Sequence, residues 1–163
     1  MPIDDLRLRE ATAEDLDVLT AGLFEAMNWN GTVRLSAARI MAIPELAHYV
    51  TGWPLPGDFG LVALAGANPV GVAWLRVFAA SDPGYGFVAA DVPELSMAVF
   101  PDYRGQGVGT VLMNALIDHA GERGLRALSL SVEDNNRARA LYERSGFKLV
   151  RRDGNSDVML LAL

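Results

Sequence analysis

The sequence predicts an α/β fold (α+β) built on a mixed, mostly antiparallel sheet of six to seven strands flanked by about four helices. Three observations carry that expectation. Short runs with a strand pattern surround the few stretches that have helical spacing. Two of these runs, Phe59–Ala65 and residues 70–79, are separated by Gly66-Ala67-Asn68-Pro69, a hairpin signal. A third, over residues 91–100, leads through a glycine-rich turn into an amphipathic helix.

Leu6-Arg7-Leu8-Arg9 alternates apolar and charged residues, as a half-buried strand does, and the spacing becomes helical at Thr12. Thr12 precedes Asp15 by three positions, close to a capping box. Residues 35–50 read as a second, shorter helical region with Pro44 as a break or boundary. Gly52-Trp53-Pro54-Leu55-Pro56-Gly57-Asp58 is rich in turn residues. After the hairpin, residues 81–86 form a loop, and Pro101-Asp102 ends the strand of residues 91–100. Val108, Val111, Leu112, Ala115, Leu116 and His119 then share one helical face. Residues 127–132, 148–152 and 158–163 complete the strands, with Asp153-Gly154-Asn155 as the last turn.

Length and composition bound the function. A chain of 163 residues suits one domain, residues 1–163, and half of it is hydrophobic. The longest apolar patterns are interrupted well short of a bilayer span, and Met1-Pro2-Ile3-Asp4-Asp5 carries acids where a signal peptide needs basic residues, so a cytoplasmic protein is expected. There are no cysteines, which excludes disulfides and a thiol nucleophile. Two distant histidines give no metal pattern, so no metal is expected; His48 and His119 read as structural. A net charge of −6 argues against nucleic-acid binding and favours a cationic or amine-bearing partner. Asn30-Gly31-Thr32 reads only as a turn.

Two motifs carry chemistry. Arg104-Gly105-Gln106-Gly107-Val108-Gly109 joins a strand to a helix, where converging backbone amides and the positive end of the helix dipole make an anion site suited to a pyrophosphate. Its spacing is not that of a dinucleotide fingerprint, because Thr110 or Leu112 stands where the last glycine belongs, and no Walker lysine follows. The second motif is Asn135-Asn136-Arg137-Ala138-Arg139-Ala140-Leu141-Tyr142-Glu143-Arg144-Ser145-Gly146-Phe147. Ala138, Leu141, Tyr142 and Ser145 share a face of a short helix, with Asp134 or Asn135 suited to its N-cap and Gly146 to its C-cap.

Together the two segments resemble the acyl-CoA pyrophosphate loop and the second hallmark block of the GNAT superfamily of N-acetyltransferases. The resemblance implies acetyl-CoA as co-substrate, with acetyl passed directly from the thioester to an amine. It places Arg104, Gly105, Gln106, Gly107, Val108, Gly109 and Thr110 at the pyrophosphate. Met97, Ala98 and Val99 would lend backbone groups to the pantetheine arm, and the Val99 amide would polarise the carbonyl. Asn135 would hold the pantetheine amides or the helix start, Ala138 would contact the coenzyme, and Arg137 or Arg139 would offset the phosphates or form a solvated helix face. Tyr142 matches the tyrosine that protonates the departing thiolate; its bare reading is a core aromatic. Glu94 matches a glutamate that serves some members as general base; the alternatives are a strand-edge charge, or Asp91, Ser96 or water in that role.

The resemblance assigns choice of the acceptor, a small-molecule or peptide amine, to residues 23–50 and 80–91. Phe24, Met27, Trp29, Trp53, Tyr85 and Phe87 are candidates for its pocket, and Glu25 or Asp82 for attracting a cation. A non-catalytic acyl-CoA-binding sensor on the same fold is the competing reading. No membrane partner is expected, and a homodimer stays open.

Overall fold

The computed structural model describes residues 3–163; Met1 and Pro2, the start of the acidic opening, lie outside the described residues. The strands are β1 (Leu6–Glu10), β2 (Phe59–Ala65), β3 (Asn68–Arg76), β4 (Glu94–Val99), β5 (Ala127–Glu133), β6 (Lys148–Asp153) and β7 (Ser156–Ala162). The helices are α1 (Leu16–Met27), α2 (Ala37–Ala42), α3 (Pro44–Ala47), α4 (Val108–Glu122) and α5 (Ala138–Arg144). One sheet runs β1-β2-β3-β4-β5-β7-β6, antiparallel throughout except where β4 meets β5.

Local chemistry sets these elements. Thr12 and Asp15 do form a capping box, and the Asp15 carboxylate also takes a forked ion pair from Arg9 at 2.7 and 2.8 Å. Pro44 opens α3, where its missing N–H leaves no helical carbonyl without a donor, so the expected single helical region is two. The hairpin turn needs only Gly66-Ala67, with Gly66 at φ 60°, so β3 starts at Asn68, two residues earlier than expected. Pro69 is tolerated there because the β2/β3 register shifts at Ala63/Leu64 beside it. β4 starts at Glu94 and not at Asp91, because the Val92 amide closes a turn on Ala89 at 3.1 Å.

The sheet separates two cores. On one face α4 and α5 cover Leu61, Leu75, Leu95 and Leu128; Val108, Leu112, Met113, Leu116 and Ala120 are the buried side of α4. Val111, expected on that side, is exposed because it falls one position outside the arc. On the other face α1, α2 and α3 cover Val62, Val72 and Trp74.

β4 therefore serves two environments. Leu95, Met97 and Val99 point to the α4 face, whereas Glu94, Ser96 and Ala98 share the α1–α3 face with their cross-strand partners Arg76, Trp74 and Val72. The Phe100 amide donates to the Val70 carbonyl at 2.9 Å, so alternation assigns the Ala98 backbone to β3 and turns the backbone groups of Leu95, Met97 and Val99 toward β5. β5 pairs with β4 only at Glu94 and Ser129, where the Ser129 amide reaches the Pro93 carbonyl at 3.0 Å. Beyond that point the strands part.

Candidate active site

The parting of β4 from β5 opens a cleft of about 1850 Å³ that runs from the α4 N-terminus to the loops on the α1–α3 face. Glu94, Tyr142, Asn135, Ala138, the expected β4 residues and the residues of the glycine turn line it except Gln106, whose side chain turns back to the Asp102 carbonyl at 3.3 Å. Ala98 lines it through its side chain, its backbone being spent on Val72.

At one end Gly105 and Gly107 adopt φ of 74° and 85°, a left-handed conformation that only glycine takes without cost. The first bond of α4 runs from the Val111 amide to the Gly107 carbonyl, which leaves the Val108, Gly109 and Thr110 amides without helical acceptors. Gly109 serves close packing: a Cβ there would sit 3.3 Å from Leu141 Cδ2 of α5. Arg104 donates to the Val99 carbonyl at 2.9 Å and pairs with Glu25 at 3.0 Å, so it ties β4 to α1. Arg137 lies on the cleft; Arg139 is taken up by Asp157 and Glu143 and does not.

Near the middle, Tyr142 is buried on the helix face that sequence spacing selects, edge-on to Phe147. Burial pushes its hydroxyl up to about 12, so it holds its proton throughout the neutral range. The N-cap differs from the expectation. Asn135 takes φ 69° at the turn, and Asn136 Oδ1 accepts from the Ala138 amide at 3.0 Å. Asn135 is thus relieved of capping and lines the cleft.

Glu94 is 4% exposed, which removes the strand-edge reading. One carboxylate oxygen accepts from the Tyr49 hydroxyl and the other from the Gly86 amide at 2.9 Å. Burial raises its carboxyl to about 7, against the opposing pull of those two hydrogen bonds and of Arg151. A carboxyl so poised exchanges a proton readily near neutrality. Asp91 is exposed, paired with Arg126 and off the cleft; Ser96 lines it beside Glu94.

Beyond Glu94, Met27, Trp29, Tyr85 and Phe87 line the wall as expected, whereas Glu25 lines the cleft with its carboxylate already paired to Arg104. Phe24 and Trp53 belong to the α1–α3 core instead, Trp53 donating to the Thr12 carbonyl at 3.0 Å. Asp82 pairs with His48, and His119 stacks on Phe59, so both histidines have packing roles. Sequence reasoning missed Tyr49, Arg34 and Glu133. Arg34 pairs with Glu133 across 99 residues and donates to the Met27 carbonyl, which fixes the segment after α1 against β5. Its own backbone is set by buried Asn28, whose Oδ1 accepts from the Arg34 and Leu35 amides. No local pattern announces such pairs.

Comparison with known proteins decides the family. The acetyltransferase (GNAT) family model matches residues 34–147, which include both motifs and Glu94. The chain belongs to the GNAT family. Within that family it is 42% identical over 77 residues to the ribosomal protein bS18-alanine N-acetyltransferase of Escherichia coli, a match covering 42% of this chain and 52% of that protein. The chain thus spans about half the length of that relative. Among solved structures, ribosomal-protein-alanine N-acetyltransferase from Brucella melitensis superposes with a TM-score of 0.68 at 26% identity, covering 96% of this chain and 99% of that one. PaiA N-acetyltransferase from Thermoplasma acidophilum in complex with coenzyme A gives 0.69 at 19% identity, covering 98% and 99%. Among the described residues no helix is long and apolar enough to cross a membrane.

Proposed function

We propose that this GNAT chain is, over residues 1–163, an acetyl-CoA-dependent N-acetyltransferase that moves acetyl directly to a primary amine. The observation that carries the proposal is the placing of Glu94 and Tyr142, a carboxyl near neutrality and a protonated phenol, on one cleft beside the unpaired backbone of β4. Acetyl transfer needs a neutral amine, a polarised carbonyl and a proton for the leaving thiolate. Glu94 takes the proton of the incoming ammonium, directly or through water. The Val99 amide, facing the gap, donates to the carbonyl oxygen. Tyr142 delivers its proton to the sulfur as the C–S bond breaks, and the proton shed by the acylated nitrogen returns through water to the phenolate. No enzyme nucleophile takes part.

The co-substrate fits residues that are present. Val108, Gly109 and Thr110 supply unoccupied amides at the α4 N-terminus for a pyrophosphate, with Gly105 and Gly107 keeping the approach free of side chains. Arg137 adds positive charge at the rim, and Met97, Asn135 and Ala138 bound the gap through which a pantetheine arm runs. Bound acetyl-CoA supplies the thioester that is cleaved.

The acceptor enters from the opposite side, past Met27, Trp29, Tyr85 and Phe87. Two relatives named for acetylating an alanine of a ribosomal protein support a peptide amine there, alongside small-molecule amines. The test is release of free CoA thiol from acetyl-CoA across a panel of peptides and small amines. Turnover with any acceptor supports the reading; tight acetyl-CoA binding with silence across the panel points to an acyl-CoA sensor.

A further inference from the structure

Tyr49 follows α3 and has no place in either motif, yet it is the best-fixed side chain around Glu94. Its carbonyl accepts from the Trp74 indole at 3.0 Å, and the carbonyls of His48 and Thr51 on either side accept from buried Arg76, each at 2.8 Å. Its ring, 4% exposed, is wedged between His48 and Phe78 at 4.9 and 5.0 Å. The hydroxyl this scaffold presents does two things: it donates to Glu94 and accepts from the Tyr85 amide at 2.8 Å. Glu94 in turn accepts from Gly86, so phenol and carboxylate together grip residues 85–86. Gly84 lets the loop come this close, since a Cβ there would lie 2.3 Å from Glu94 Oε1 and 2.9 Å from the Tyr49 oxygen.

We propose that Tyr49 is the positioning residue for Glu94, holding the carboxylate in one orientation toward the cleft and tying it to the loop that borders the acceptor. The inference rests on the reading of Glu94 as general base. Burial and the adjacent carboxylate raise the Tyr49 hydroxyl well above the ordinary tyrosine value, so it stays a donor over the working range. The other groups facing this pair are accounted for. Arg76, across the strand pair from Glu94, is occupied by Asp58; Arg151 of β6 favours the ionised carboxyl; Glu45 acts on Tyr85.

The experiment is Tyr49→Phe, with two readouts. The first is the titration of the Glu94 carboxyl by 13C NMR in protein without acetyl-CoA, the signal identified by its loss in Glu94→Gln. A donor hydrogen bond to a charged group favours ionisation, so its removal is expected to raise the Glu94 midpoint by about one to two pH units. The second is the pH profile of kcat/KM for CoA release, whose acid limb is expected to follow. That means a loss of about ten- to a hundredfold at pH 6, with convergence on wild type once the pH passes the raised midpoint. Gly84→Ala, whose Cβ crowds Glu94 Oε1 and the Tyr49 oxygen and so loosens the whole grip on the carboxylate, is expected to move the midpoint the same way, and if Tyr49→Phe does not fold an unmoved midpoint in Gly84→Ala overturns the proposal. An unmoved Glu94 midpoint in the folded variant overturns the proposal. A midpoint that rises while the rate profile stays put upholds Tyr49 as the support of Glu94 and refutes Glu94 as the base.

Discussion

Replacing Glu94 by glutamine is expected to stabilise the protein at alkaline pH while weakening it at acid pH. The Glu94 carboxyl titrates at 4.5 in the unfolded reference and about 7 in the fold. Between those values the unfolded chain releases a proton that the folded chain keeps, so stability falls as pH rises through the interval and is level above it. The 2.5-unit gap, at about 1.4 kcal/mol per unit, amounts to about 3 kcal/mol lost between pH 4 and pH 8. Glutamine has no such loss, but one of the donors from Tyr49 and Gly86 then meets an amide instead of a carboxylate oxygen, at a cost of about 1 kcal/mol at every pH. The variant should therefore be about 1 kcal/mol less stable near pH 4 and about 2 kcal/mol more stable at pH 8. For a chain of this length the latter raises Tm by about 4–8 °C. Carboxylates with lowered values, such as Asp15 and Asp157, stabilise above pH 4 in both proteins and cancel. Urea midpoints at pH 4, 6 and 8 check it. Parallel curves for the two proteins would show that the buried carboxyl ionises at its ordinary value, and the argument from burial would fall. The same variant should lose turnover mainly at low pH and recover in part as the pH rises, because an alkyl amine of pKa ~10.4 is then supplied neutral.

Three further outcomes are expected. Tyr142→Phe should lower kcat by about tenfold or more with a smaller change in the KM for acetyl-CoA, because thiolate protonation matters only as the bond breaks; unchanged turnover returns Tyr142 to the core. Gly109→Leu should weaken coenzyme A binding by about tenfold in calorimetry, since its side chain enters the 3.3 Å contact with Leu141 and displaces the α4 amides; unchanged affinity in a folded variant sinks the anion-site assignment. Gly22→Ala puts a Cβ 2.4 Å from Val72 Cγ1 under α1 and should cost about 1–2 kcal/mol net of the helical gain of alanine, read as a lower thermal midpoint with the coenzyme affinity intact.

The sheet and the glycine-turn end of the cleft were largely legible in the sequence, because both rest on local patterns. β2 has the limits that alternation and the hairpin suggest, and the glycine turn stands where its strand and helix meet. The errors came where side chains from distant segments decide the outcome. Asn136 accepts from the first amide of α5 while Asn135 is bent into a left-handed turn, a division of roles that the Asn-Asn pair does not reveal. Phe24 and Trp53 looked like pocket aromatics but fill a core that only the packing of α1 and the loop of residues 52–58 creates. Tyr49, 45 residues from Glu94, and Arg34, 99 residues from Glu133, meet their partners through the fold alone.

The alternation along β4 has a consequence for how such a fold diversifies. Odd-numbered positions face α4, and even-numbered positions face the helices and loops of the opposite wall. A substitution at Ser96 or Ala98 therefore reshapes only the compartment on the α1–α3 side, and one at Met97 or Val99 only the other. Two surfaces can share a single strand and change separately, so the wall on the α1–α3 side can be rebuilt by trading residues at every second position and in the loops beyond, while the α4 side stays untouched.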